Sequence, residues 1–152
     1  MPRSKITPFL WFDTNAEEAV NYYASIFPDA AIHNIVRCTE AGPGPIGSVL
    51  TIDFELAGQR FVALNGGPHD KFNHAISFFV DCETQEEIDR YWAALTAGGK
   101  EIQCGWLEDK FGLAWQIVPR DMTTLIKGPK AMKAMMSMVK IDIATLRAAA
   151  EG

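Results

Sequence analysis

The chain contains its own repeat, and that duplication constrains the fold more than any other feature. Pro8-Phe9-Leu10-Trp11-Phe12-Asp13 is followed by Thr14-Asn15-Ala16-Glu17-Glu18 and then Ala19-Val20-Asn21-Tyr22-Tyr23. Ile76-Ser77-Phe78-Phe79-Val80-Asp81 is followed by Thr84-Gln85-Glu86-Glu87 and then Ile88-Asp89-Arg90-Tyr91-Trp92. Each copy is an apolar β-prone run closed by Asp, a polar start, a Glu-Glu pair and an aromatic pair. Thr14 with Glu17, and Thr84 with Glu87, fit the S/T-x-x-E capping box that opens a helix. Ala16, Ala19, Val20, Tyr23 and Phe27 then share one helix face, as do Ile88, Tyr91, Trp92 and Leu95. Pro28 stops the first helix and Gly98-Gly99 the second.

Strand-like runs follow each helix: 31–38, 48–56 and 60–64 in the first half, 100–103, 106–109 and 113–118 in the second. Gly58 and Gly112 sit at matching hairpin turns, each three residues before an aromatic, Phe61 and Trp115. Thr39 to Gly47, with its Gly42-Pro43-Gly44-Pro45 run, reads as an exposed loop, and Gly66 to Asn73 as a linker. The pattern predicts an α+β fold of two tandem βαβββ modules, about 6–66 and 74–119, with mixed but mainly antiparallel pairing. These form one domain over 1–127. Beyond it, 128–152 reads as a helical tail, with Pro129 opening a helix whose stripe is Met132, Met135, Met136 and Val139.

A net charge of −5 and scattered basic residues give no electrostatic footprint for nucleic acid. No apolar run is long enough to cross a bilayer. Cys38, Cys82 and Cys104 are far apart and lack a C-x-x-C pair, so neither a zinc knuckle nor a thioredoxin motif is expected. With no leader-like N-terminus, the expected location is a reducing cytoplasm.

The carrying residues of a family resemblance are Ile6-Thr7-Pro8-Phe9-Leu10-Trp11-Phe12, Phe61-Val62-Ala63-Leu64-Asn65-Gly66-Gly67-Pro68, Ala75-Ile76-Ser77-Phe78-Phe79, and Cys104-Gly105-Trp106-Leu107 through Asp109-Lys110-Phe111-Gly112 to Trp115-Gln116-Ile117-Val118-Pro119. Together they resemble the vicinal-oxygen-chelate superfamily of glyoxalases, bleomycin-resistance proteins and extradiol dioxygenases. The nearer resemblance is to its PhnB-like group, labelled demethylubiquinone methyltransferase-like. It implies a curled sheet in each module, helices outside, a cavity within, and commonly a homodimer. The label itself does not imply a Rossmann-type methyltransferase, because no helical pattern follows Gly66-Gly67-Pro68 to make the cofactor cradle. In metal-dependent members four strand positions supply His and Glu ligands. Here they fall at about Thr7, Val62, Ala75 and Gln116, of which only Gln116 offers a good oxygen, so no metal and no other cofactor is expected.

Period-two alternation then sketches the cavity wall. If Thr7 and Gln116 point inward, so do Phe9, Trp11, Ser77 and Phe79; Trp106 joins this candidate ligand-binding set. Such a wall suits a small organic molecule, or the aromatics simply fill the cup. Cys104 beside Gly105 is a candidate nucleophile, and a small buried hydrophobe by default. Asp53, Glu55, Glu108 and Asp109 are candidate general bases, with solvated carboxylates as the plain alternative. His69, Asp70 and His74 can bind an ion or merely solvate the linker. The reading that results is a metal-free small-molecule-binding protein, with enzymatic action on an organic metabolite open. The alternatives are a metal-dependent glyoxalase-like lyase or isomerase, and a dimeric interaction protein with filled cavities.

Overall fold

A computed structural model of the chain describes residues 4–152, which divide between Lys71 and Phe72 into two compact units. The first contains β1 (Phe9–Phe12), α1 (Ala16–Ile26), β2 (Ala31–Arg37), β3 (Val49–Leu56) and β4 (Gln59–Asn65). Its sheet runs β1-β4-β3-β2, with β1 parallel to β4 and the other neighbours antiparallel. The second begins with β5 (Ser77–Cys82), α2 (Gln85–Thr96), β6 (Lys100–Glu101), β7 (Trp106–Glu108) and β8 (Ala114–Pro119). Its sheet repeats the order as β5-β8-β7-β6, again with only the first pair parallel. Both sheets are open, and the expected pair of βαβββ modules is present.

Alternation builds the core of each unit. In the first, Leu10, Phe12, Ile52, Phe54, Leu56 and Phe61 are buried, as are Ala16, Ala19, Val20 and Tyr23 of α1. Helix α1 packs on β3 and β4, and the cross-strand pair Phe54–Phe61 stacks with centroids 5.4 Å apart. In the second, Ile88, Tyr91, Trp92 and Leu95 of α2 are buried along with Leu107, Trp115 and Ile117. At roughly 1.5–3 kcal/mol per buried large apolar side chain, these helix-facing layers are the dominant stabilising term.

The two helix starts differ, and the expectation of matching Thr caps holds only in the second unit. There Thr84 is the N-cap and its side chain accepts from the Glu87 N–H at 3.2 Å. In return Glu87 Oε1 accepts from the N–H one residue further out, that of Glu83, at 3.0 Å. In the first unit Asn15, not Thr14, is the N-cap, and its side chain makes no cap bond. The free amide of Ala16 instead donates to Asn65 Oδ1 at 2.9 Å, while Asn65 Nδ2 donates to the Val49 carbonyl at 3.0 Å. The last residue of β4 thus caps the helix across the fold, a bond between residues 49 apart that no local motif encodes.

Both hairpin glycines lie where expected. Ala57 (φ 49°) and Gly58 (φ 84°) form the two-residue turn between β3 and β4, with both residues in the left-handed region that such tight turns require. Gly112 (φ 91°) closes the turn between β7 and β8, its N–H donating to the Asp109 carbonyl at 2.9 Å.

The tail belongs to the second compact unit. It forms α3 (Met122–Leu125), α4 (Pro129–Met136) and α5 (Ile143–Glu151). Val118, Met122, Ile141 and Leu146 make a buried cluster, with Leu125, Ile126, Ala134, Met135 and Met138 packed around it. The Met stripe divides: α4 turns Ala131 and Met135 inward and leaves Met132 and Met136 exposed. Polar bonds fix this packing. Gln85 of α2 donates to the Ile141 carbonyl at 2.9 Å and accepts from the Ile143 N–H at 2.8 Å. Lys140 Nζ lies 2.7 Å from Asp89 Oδ1.

Thr84→Ala should lower stability by about 1 kcal/mol, the usual loss for an N-cap. Asn65→Ala should cost about 1–2 kcal/mol, because it also frees the Val49 carbonyl. Thr14→Ala should leave the denaturant midpoint unchanged; a loss equal to that of Asn65→Ala would refute the cross-fold cap. Hydrogen bonds from Lys140 and Gln85 hold the Asp89 carboxyl below the usual carboxylate range. A carboxyl depressed in the folded state stabilises above its unfolded pKa, and that contribution vanishes as pH falls through the folded value. The thermal midpoint should therefore fall less steeply below about pH 4 in Asp89→Asn than in the parent chain.

Candidate functional site

Each sheet has one face packed against its helix, and on the opposite face the second sheet meets the tail at the Val118 end of β8. On the second sheet the open face is set by register. Ser77 pairs with Ala114 and Phe79 with Gln116, while Trp106 pairs with Gln116 and Glu108 with Ala114. Paired residues share a face, so the β ladder brings Ser77, Phe79, Trp106 and Gln116 together as expected. Gln116 Nε2 donates to Ser77 Oγ at 2.9 Å, which leaves the Ser77 hydroxyl hydrogen and the Gln116 carbonyl oxygen for another group. Phe79 is 55% exposed, an unusual state for a phenylalanine in mid-strand.

A polar group that the sequence did not reveal lies on the same face. His74 Nε2 is 2.9 Å from Glu108 Oε2, and Lys100 Nζ is 3.6 Å from the same oxygen. Imidazole and carboxylate are 34 residues apart and meet only through the parallel β5–β8 pairing, so spacing could not foretell them. With Nε2 engaged by the carboxylate, Nδ1 of His74 is the nitrogen left to exchange a proton with a ligand. His69 and Asp70, grouped with His74 in the linker reading, fall in the first unit.

On the first sheet the open face carries Phe9 and Trp11 of β1, with Asp53 two strands away, since Phe9 and Asp53 both pair with Val62. Phe9 is 61% exposed. Trp11 is committed locally: its Nε1–H donates to the Gly67 carbonyl at 3.0 Å and its ring lies on Gly66. A Cβ on Gly66 would come within 2.4 Å of that ring, so only glycine fits there. Thr7 lies just before β1 and is half-buried. Asp53 Oδ2 takes the Arg60 guanidinium Nη2 at 2.9 Å, and His33 Nε2 lies 3.4 Å from Glu55 Oε1. A separate cleft of about 720 Å³ lies in this unit between Thr14, Cys38, Pro43, Pro45, Asn65 and His69.

Other candidates have structural roles. Cys104 (φ 57°) and Gly105 (φ 84°) form the two-residue turn between β6 and β7. Their amides donate to the Met138 and Val139 carbonyls, each at 2.8 Å, so this pair fastens the tail. The Cys104 thiol lies 3.7 Å from the Met136 carbonyl. Cys82 is fully buried, and burial, reinforced by Glu87, pushes its thiol up to about 12, which makes it inert. Asp109 is 2% exposed, and its carboxylate organises the β7–β8 hairpin. Oδ1 accepts from the Phe111 and Leu113 amides at 2.8 and 3.1 Å, and Oδ2 from Trp115 Nε1 at 2.9 Å. This answers why a carboxylate is buried here: its oxygens serve the turn and the core indole, not a substrate.

Two βαβββ units, each an open sheet with a helix packed on one face, give the chain the fold of the vicinal-oxygen-chelate superfamily. A family model described as 3-demethylubiquinone-9 3-methyltransferase matches residues 4–118, and the chain belongs to that family. It is similar to a PhnB protein from Bacillus cereus at 39% identity, covering 74% of this chain and 97% of that one, with a TM-score of 0.68. The fold is shared with fosfomycin resistance protein FosX from Listeria monocytogenes, solved with Mn(II) and sulfate (13% identity, 82% and 99% covered, TM-score 0.53). It is shared also with a glyoxylase/bleomycin resistance protein/dioxygenase domain from a Frankia species (15% identity, 75% and 90% covered, TM-score 0.50). No curated protein sequence matches the chain.

Neither group implied by these relatives fits the residues present. At the four metal positions, Val62 and Ala75 carry no ligand atom, and Thr7 and Gln116 offer only neutral oxygens, with no carboxylate or imidazole among them. Among the described residues no three His, Cys, Asp or Glu side chains are grouped to hold a metal ion. A Rossmann-type methyltransferase cradle needs a Gly-rich turn and free amides at the following helix start. After β1 the chain reads Asp13-Thr14-Asn15, and the Ala16 amide is already taken by Asn65. Among the described residues no helix is long and apolar enough to cross a membrane.

Asp109→Ala should destabilise the protein by about 3 kcal/mol, since it strands two turn amides and a buried indole N–H. Urea titration followed by Trp fluorescence measures this; a change below about 1 kcal/mol would remove Asp109 from its organising role.

Proposed function

We propose that the chain binds a small organic molecule on the open face of its second sheet, without the superfamily metal, and acts as a homodimer. The observation that carries this reading is the exposed Phe79 ring beside the Ser77–Gln116 pair, with Trp106 and the His74–Glu108 pair on the same face. An apolar platform with a few fixed polar groups is the usual make-up of a small-ligand site. Ser77 and Gln116 supply one donor and one acceptor to orient the ligand. His74, held by Glu108, supplies a proton acceptor at Nδ1, and this places acid–base chemistry on a bound carbonyl or hydroxyl compound within reach of the site. The homodimer is supported by the apolar surface that each copy leaves bare, chiefly Ile6, Phe9, Ile76, Phe79 and Met136.

Native mass spectrometry of freshly purified protein tests all three parts. The expected species has about twice the 16.8 kDa chain mass and carries a bound organic mass but no metal. Phe79→Ala and Gln116→Ala should each weaken retention of that mass about tenfold, or about 1.4 kcal/mol. A metal-loaded species stripped by chelator with loss of the organic mass would overturn the metal-free reading, and a bare monomer would overturn the whole.

A further inference from the structure

The cleft of the first unit lies at one end of its sheet and carries charges of opposite sign on its two sides. Phe12 pairs with Asn65, Leu64 with Thr51, and Val49 with Arg37, so the end of β1, the end of β4, the start of β3 and the end of β2 form a row. Asp13 follows β1 and Arg37 closes β2, which sets their backbones three inter-strand spacings apart, roughly 14 Å. Glu17 joins Asp13, because the Asn65 cap seats the first turn of α1 beside the end of β4. Asp13, Glu17 and Arg37 are exposed, and all three line the cleft. Among the described residues neither carboxylate is hydrogen-bonded or ion-paired. Arg37 commits Nη1 to the Gly47 carbonyl at 3.1 Å, which leaves its other N–H groups to a ligand. The Arg37 side of the cleft is a loop longer than the ladder needs: residues 38–48, where the second unit spends only 102–105. It holds its own shape. The Cys38 N–H donates to the Ser48 carbonyl and the Gly47 N–H to the Cys38 carbonyl, each at 2.8 Å, and the Ser48 hydroxyl donates to the Pro45 carbonyl at 2.6 Å. Ordered surface loops of this kind are where binding residues concentrate. Pro43, Pro45 and Val49 add apolar lining.

We infer that this cleft binds a small zwitterion whose ammonium and carboxylate are separated by a chain of several carbons. The ammonium goes to Asp13 and Glu17, and the carboxylate to Arg37, whose planar fork can hold both oxygens. The chain between them lies on Pro43, Pro45 and Val49. Two carboxylates against one guanidinium rank the cationic end above the anionic one; His69 and the buried Cys38 thiol are the other titratable groups on the lining. An α-amino acid, with its charges on neighbouring carbons, is too short to reach both sides. The cleft belongs to the first unit, and the inference does not rest on the second-sheet reading.

Amide chemical shifts of the full chain at neutral pH, titrated with ε-aminocaproate, hexylamine, hexanoate and glycine, test it. Aminocaproate should give saturable shifts at Thr14, Glu17, Arg37, Ser48 and Gly67. It should bind about fivefold tighter than hexylamine, the gain from one exposed ion pair. Hexanoate and glycine should bind more weakly than hexylamine. Arg37→Gln should bring aminocaproate down to the level of hexylamine without weakening hexylamine itself. The double variant Asp13→Asn, Glu17→Gln should place hexanoate above hexylamine, a reversal that a merely structural role would not produce. Equal responses to all the probes, or none at these residues, overturn the inference. So does an unchanged order of affinities in variants whose spectra are those of a folded protein. Shifts confined to Phe79, Trp106 and Gln116 overturn the cleft while the second-sheet reading stands.

Discussion

The parallel pairing of β1 with β4, and of β5 with β8, is the constraint on which the structure depends. Two parallel neighbours cannot be joined by a hairpin, so the chain must leave the sheet and return. In each unit it leaves through a helix and comes back through two antiparallel strands. The helix therefore has one face of the sheet to pack against, and the other face receives no element from the crossover. Apolar residues at alternate positions, Leu10 and Phe12 or Trp115 and Ile117, go to the covered side. The intervening residues become the open faces, with their exposed aromatic rings. The candidate ligand face is thus a geometric remainder of how the core is built.

That logic explains how much was legible in the sequence. Element order, both hairpins and the buried helix stripes follow from period and punctuation, which are local properties. The sequence reading did not pair Glu55 with Arg60; the structure does, because the two-residue turn at Ala57-Gly58 sets residues 56 and 59, then 55 and 60, opposite each other. The grouping of Ser77, Phe79 and Gln116 followed from alternation once the repeat was aligned. What the sequence withheld depends on contacts between distant segments. Asn65 replaces Thr14 as the cap of α1 because β4 ends beside the helix start, and a perfect local motif loses to a tertiary one. His74 meets Glu108 for a similar reason. Asp109 read as a possible base because its composition cannot distinguish a carboxylate facing ligand from one consumed by its own turn.

Duplication also left room for divergence. The connection between the second and third strands is a long Gly- and Pro-rich loop in the first unit and a short one, 102–105, with Cys104-Gly105 at its turn, in the second. The loop folds over Cys38, where Gly42 and Gly44 both approach that side chain. The short turn instead offers its amides to the tail. Equivalent positions thus do different work, and each sheet keeps a Glu near the end of its third strand, Glu55 and Glu108, with a histidine recruited from a different element.

The dependence of the Cys104-Gly105 turn on Met138 and Val139 sets an order in time. The ladder of the first sheet is complete once Asn65 has been made, whereas the second unit cannot satisfy its turn amides until Val139 has followed. At synthesis rates of about 5–20 residues per second, the interval is roughly 4–15 s. Throughout it the nascent chain already carries the exposed Phe9 ring of the first sheet. All strand partners of the first sheet are thus available well before the tail can fasten the turn of the second.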